Sequence, residues 1–200
     1  MRTCRRGMPG KTRLADAAAV PNVRGMTPLP DRRPPRVLIV VASRHGATRQ
    51  IAEALRRTLR AAGLDAEVEE TGGSADPAGY EAVVLGSAVY YGRWLASARA
   101  FAERHASTLA DRPVWLFSSG PVGDPPKPDG DPADLDAVRF ITGAREHAVF
   151  GGRVDRHLLG MRERAVTRIV GSDEGDFRDW EDIASWADAI ADELRVGAAR

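Results

Sequence analysis

Three short stretches of this 200-residue chain combine glycine with hydroxyl groups, a mixture that lets a backbone come close to a ligand while side chains or amides hold it. The first, Ser43-Arg44-His45-Gly46-Ala47-Thr48, lies between an apolar run and a helical pattern. Helix N–H groups exposed at such a junction, with the Ser43 and Thr48 hydroxyls, can hold a phosphate, and Gly46 allows close approach. In isolation the same residues would make Ser43 or Thr48 a simple N-cap, but the strand–loop–helix context favours the anion. The second stretch is Gly86-Ser87-Ala88-Val89-Tyr90-Tyr91-Gly92, followed closely by Trp94, and the third is Ser119-Gly120-Pro121-Val122-Gly123. The only lysines are Lys11 and Lys127, so the Gly-x-x-x-x-Gly-Lys-Ser/Thr loop of nucleoside triphosphatases is absent. A dinucleotide fingerprint needs three glycines where the first stretch has one. A phospho-acceptor receiver needs aspartates where Ser43 and Gly86 stand. The four histidines (His45, His105, His147, His157) lack ligand spacing and the one cysteine is Cys4, so no metal site and no cysteine chemistry are expected.

The elements that must place these stretches begin at Arg36, where strand-like and helical patterns alternate, the signature of βαβ units around a parallel sheet. Val37–Ala42 is apolar throughout, as a strand buried on both faces is. A helix is predicted from about Thr48, with Ile51, Ala54, Leu55, Thr58 and Leu59 at helical spacing and Gly63 as its stop. Charged Ala66–Glu70 reads as an edge strand, and Ala82–Leu85 as a third strand after the Asp76-Pro77-Ala78-Gly79 turn. A helix over Leu95–Leu109, a strand over Val114–Ser118 and a loop over 120–132 follow. Next come a short helix Asp134–Thr142, a fifth strand Ala148–Phe150 and an irregular amphipathic stretch Leu158–Val170. The closing helix has Asp179, Glu181 and Asp182 at its start and an apolar stripe of Trp180, Ile183, Ala187, Ile190 and Leu194. The fold class is therefore α/β, a three-layer, doubly wound, five-stranded parallel sheet. Ligand sites of such sheets lie beyond the carboxyl ends of the strands, where the three stretches emerge.

With 43% hydrophobic and 28% charged residues, the composition is that of an ordinary globular protein, and the longest apolar run is too short to span a bilayer. The net charge of +1 divides unevenly: residues 1–35 carry eight basic and two acidic groups, +6, which leaves −5 for the rest. An acidic body argues against nucleic acid as a partner. The tail, rich in proline and arginine and without apolar period, is expected to be disordered, with Met8 and Met26 as alternative starts and weak attachment to an anionic surface as its one functional reading. Arg5-Arg6 is not followed by the apolar stretch of a secretory signal, so a cytoplasmic location is expected.

From Val37 to about Leu194 the chain resembles the flavodoxin family. The resemblance rests on Ser43, Gly46 and Thr48, which match a Ser/Thr-x-Thr-Gly-x-Thr phosphate loop from which His45 departs. Ser43–Ala52, Gly86–Gly92, His147-Ala148-Val149-Phe150-Gly151-Gly152 and Asp179-Trp180-Glu181 are most similar to the menaquinone-dependent protoporphyrinogen dehydrogenase branch. Arg153–Val170 is basic, as in that branch, but contains no aromatic residue. The resemblance implies strand order 2-1-3-4-5 and FMN as cofactor. Ser43, Arg44, His45, Gly46, Ala47 and Thr48 would then bind the phosphate, with Arg44 or His45 adding positive charge. Ser87, Ala88, Val89, Tyr90, Tyr91 and Gly92 would run beside the isoalloxazine, with Tyr90, Tyr91 and Trp94 as stacking candidates. Ser119, Gly120, Pro121 and Gly123 would face its polar edge. The resemblance further implies an FMN-dependent oxidoreductase that oxidises protoporphyrinogen IX or a related small molecule with a quinone acceptor. The alternative is an electron carrier that docks on redox partner proteins. Catalytic residues are not assigned.

Overall fold

The structure, a computed structural model, describes residues 33–120, 130–154 and 175–198. Among them, parallel strands β1 (Arg36–Ala42), β2 (Asp65–Glu70), β3 (Ala82–Tyr90), β5 (Val114–Ser119) and β6 (Glu146–Phe150) form a sheet in the order β2-β1-β3-β5-β6. Short β4 (Arg93–Trp94) pairs antiparallel with the end of β3. Counting the five parallel strands alone, this is the expected 2-1-3-4-5 order. Charged β2 is indeed at the edge, and Val37–Ala42 is wholly buried because helices cover both faces.

Alternation along each strand divides the core in two. Val37, Ile39, Val41, Val84, Trp115 and Phe117 face helices α1 (Ala47–Ala61) and α5 (Trp180–Ala198). Leu38, Val40, Val83, Leu85 and Leu116 face α2 (Ala96–Arg104), α3 (Ala106–Ala110) and α4 (Leu135–Thr142). Helix α1 buries Ile51, Ala52, Leu55 and Leu59 and ends where Gly63 N–H bonds the Arg60 carbonyl and Leu64 N–H that of Leu59, with Gly63 at φ 86°. These are the paired bonds of a glycine-terminated helix. In α5, Asp179 Oδ1 accepts from the N–H groups of Glu181 and Asp182, and Ile183, Ala187, Ile190 and Leu194 are buried as expected, joined by Trp186 and Ala191. Trp180 leaves the predicted stripe: it stands 43% exposed on the first turn, its ring 4.5 Å from the Arg178 guanidinium.

Two further expectations change. The helix over Leu95–Leu109 breaks at His105 into α2 and α3. The third strand runs five residues past Leu85, because Gly86 belongs to the ladder opposite Phe117. A Cβ at Gly86 would lie 2.0 Å from the Phe117 ring, so this glycine makes room for an aromatic on the neighbouring strand and is no loop former. Beyond β6, Arg153–Val154 (β7) pairs antiparallel with Gly175–Asp176 (β8), a ladder the sequence pattern did not suggest. The predicted stretch Leu158–Val170 lies outside the described residues, as does the tail to residue 32.

Candidate functional site

The junction of β1 and α1 forms a tight turn. Ser43 Oγ accepts from Gly46 N–H at 3.1 Å, and Gly46 adopts the left-handed φ of 84° before the helix begins. The first intrahelical bond is from Gln50 N–H to the Gly46 carbonyl, and no side chain caps the helix. The amides of Ala47 and Thr48 thus belong to the first turn, where a helix has no acceptors of its own. The first turn contains no acid to oppose an incoming anion. Thr48 is buried at 2% exposure. Arg44 is exposed, its guanidinium carbon 5.4 Å from the Tyr90 ring centroid, and His45 lies edge-on to the same ring at 6.3 Å. The first and second predicted stretches therefore meet through Arg44, His45 and Tyr90.

The second stretch is a strand end followed by a two-residue hairpin. Tyr91 and Gly92 both have positive φ, 52° and 71°, which matches the twist of the strands they join. Tyr90 is half-buried and Tyr91 is 69% exposed at the tip. Ser87 is buried, its hydroxyl donating to the Ala88 carbonyl and accepting from Leu95 N–H, so its side chain serves the hairpin. Trp94 does not stack on a ligand: it is 2% exposed, packs in the core, and donates Nε1–H to Ser118 Oγ at 2.8 Å. Its backbone N–H donates to Asp134 Oδ1, which pins the hairpin to the start of α4. Val89 lies against the third stretch, where a Cβ at Gly120 would fall 3.1 Å from Val89 Cβ. The glycine is what lets the ends of β3 and β5 close on each other. Ser119 is buried beside it, while Pro121 and Gly123 lie outside the described residues.

Two groups make contacts that the sequence reading did not foresee. Arg178, with only 3% of its side chain exposed, reaches the first turn of α1 from a position next to α5; of its surroundings, only the Asp179-Trp180-Glu181 motif stood out in the sequence. His147 is the other. Its Nε2 is 2.8 Å from Ser118 Oγ and its Nδ1 is 3.4 Å from Asp131 Oδ1. Ser118 Oγ accepts from Trp94, and with the His147 proton on Nδ1, toward the acceptor-only Asp131 carboxylate, Nε2 is free to accept the Ser118 hydroxyl proton. Burial holds the His147 pKa below its ordinary value, against an upward pull from Asp131. The hydrogen bonds of Arg178 likewise lower that of Asp176.

An uncapped helix start at the carboxyl end of a buried strand, flanked by an aromatic-tipped hairpin, defines a doubly wound α/β protein with a site for a phosphorylated ligand. The chain belongs to the flavodoxin-domain family, whose model matches residues 38–180. It is 25% identical to the protoporphyrinogen IX dehydrogenase [quinone] of Escherichia coli K12, over 78% of this chain and 94% of that one. Flavodoxin 2 of Bacillus cereus superposes with a TM-score of 0.55 at 20% identity, over 79% of this chain and 99% of that one. The rubredoxin:oxygen oxidoreductase of Desulfovibrio gigas superposes with a TM-score of 0.57 at 14% identity, over 84% of this chain but only 38% of its own length. This is a flavodoxin-like flavoprotein of the oxidoreductase class, and its cofactor is FMN. The turn fits a phosphate: a Cβ at Gly46 would meet nothing within 4 Å, so the space in front of the turn is open.

Proposed function

We propose that the chain is an FMN-dependent enzyme that takes electrons in pairs from a reduced organic substrate, protoporphyrinogen IX or a close relative, and passes them to a quinone. FMN supplies the redox chemistry, accepting two electrons and returning them. Ser43 would shape the turn, the amides of Ala47 and Thr48 would hold the phosphate, and Arg44 or His45 would add positive charge. Tyr90 or Tyr91 stacks on the ring, and the backbone of Ser119–Gly120 meets its polar edge. Each turnover moves two electrons and two protons from donor to quinone, which leaves as the quinol.

The observation that carries this reading is the sign of the charge around the site. Residues 43–49 and 86–94 contain no acid, and they supply Arg44 and Arg93, while Arg49 is paired with Glu70 at 2.9 Å. Acids beside a flavin penalise the negative charge it gains on reduction, which suits a low-potential carrier, whereas cations favour that charge and suit an acceptor of substrate electrons. The relative from Escherichia coli supports the choice of donor and acceptor. No described helix is long and apolar enough to cross a membrane, and a cytoplasmic protein that meets its quinone at the membrane surface is part of the same proposal.

The FMN-loaded protein should be reduced stepwise without oxygen while its visible spectrum is followed, then mixed with protoporphyrinogen IX and a water-soluble quinone. Reduction in a single two-electron stage, with porphyrin formed only when quinone is present, is the expected result. Two separate one-electron stages without porphyrin formation would identify an electron carrier that docks on partner proteins.

A further inference from the structure

We infer that Arg178 is a positioning residue for the flavin phosphate, an inference that rests on the phosphate being held at the first turn of α1. The guanidinium spans two elements that the sequence separates by more than a hundred residues. On one side, Nε and Nη2 donate to the two oxygens of Asp176 at 2.7 and 2.6 Å. On the other, Nη1 donates to Gln50 Oε1 at 2.6 Å and to the Ala47 carbonyl at 3.2 Å. Ala47 and Gln50 are the first and fourth residues of α1, so the contact falls on the turn whose amides face the ligand.

The carboxylate end of this bridge is itself fixed. Asp176 lies in the β7–β8 ladder opposite Arg153, and Phe177 N–H bonds the Gly152 carbonyl at 2.9 Å. Gly151 is required there, since a Cβ would fall 1.9 Å from the Phe177 carbonyl oxygen. Arg178 thus transfers the rigidity of the β6 end to a helix start that lacks a side-chain cap of its own. A buried ion pair is a poor source of net stability, because desolvation offsets most of its Coulomb energy. What the planar fork supplies is direction, two bonds to Asp176 and two to α1. The turn held in this way meets the phosphate of FMN, and a flavin without phosphate makes no use of it.

The two flavins therefore provide the test. Dissociation constants of FMN and of riboflavin, read from flavin fluorescence quenching, would be compared for the full chain and for Arg178→Gln, Arg178→Lys and Gln50→Ala. The parent should prefer FMN. Arg178→Gln should weaken FMN by about tenfold or more and riboflavin by less than about twofold, with Arg178→Lys recovering part of the loss because it keeps the charge without the fork. Gln50→Ala leaves the Asp176 pair intact, so it reports even where Arg178→Gln fails to fold; it should weaken FMN by about threefold and leave riboflavin unchanged. Equal weakening of both flavins, or FMN affinity unchanged in Gln50→Ala or Arg178→Gln, overturns the inference. A parent that binds both flavins equally well overturns the phosphate assignment beneath it, a different result from losing the preference only in the variants.

Discussion

Gly46 and Gly86 are glycines for opposite reasons. Gly46 has open space where a Cβ would stand and is held to glycine by its φ of 84°, whereas Gly86 has ordinary backbone and is held to glycine by the Phe117 ring. Gly46→Val should therefore do two separable things. A β-branched residue in the left-handed region costs about 1–2 kcal/mol of stability. Its side chain would also occupy the space in front of the α1 amides, so FMN affinity should fall by more than that strain explains, on the order of a hundredfold, with riboflavin less affected. Retention of the parent's FMN affinity in a folded Gly46→Val protein would show that the phosphate sits elsewhere. Gly46 was legible in the sequence because its neighbours say what it does: an apolar strand before it and a helical period after it. Gly86 was misread as a loop residue and Trp94 left open because the atoms that define their roles, the Phe117 ring and the Ser118 hydroxyl, come from another strand. No local pattern carries that information.

At the scale of elements, the chain of groups Asp131, His147, Ser118 and Trp94 ties the segment before α4, β6, β5 and β4 together. Burial favours the neutral His147 ring within this chain of groups, because a buried imidazolium loses its hydration. The sign of the pH effect follows. Burial depresses the His147 pKa in the folded state, Arg139 acts in the same direction, and Asp131 opposes both. The unfolded chain, with an ordinary histidine pKa of about 6.5, binds the proton first as pH falls. Stability from this site is therefore fully present above about pH 6.5 and is lost progressively below it, down to the depressed folded value. Melting temperatures at pH 7.5 and 5.5 should show a smaller drop for His147→Gln than for the parent. An equal drop in both would place the acid sensitivity elsewhere. The strands and helices of this region were foreseen within a few residues. The exceptions were the break at His105, the five residues that β3 runs past Leu85, and β4, β7 and β8, two-residue strands too short to show a period.

For the whole molecule, the parallel sheet follows from the alternation of elements, its strand order from the resemblance to flavodoxins, and the division of the core into two clusters from the period of the strands. The distribution of charge is equally plain in the sequence, and it supports a last expectation for residues 1–35: apart from the Pro35 carbonyl beside β1, they serve neither the fold nor the flavin. At the start of β1, Arg36 N–H donates to Glu81 and its guanidinium to the Gly79 carbonyl, and the bond from Asp65 N–H to the Pro35 carbonyl is kept in a chain that starts at Met26. The first 35 residues offer no apolar stripe to pack, and they carry +6 where the remainder carries −5. A protein that starts at Met26 should keep its stability within about 0.5 kcal/mol, as expected for changes away from a core, and retain its FMN. Attachment of the full chain to vesicles rich in anionic lipid should be weak, and it should vanish on truncation or when salt shortens the Debye length below its physiological value of about 8 Å. The measurements are a thermal melt, a flavin absorption spectrum and vesicle co-sedimentation for both proteins. A truncated protein that melts several degrees lower or loses its flavin would place the basic segment over the site, and the functional unit would then begin before Arg36.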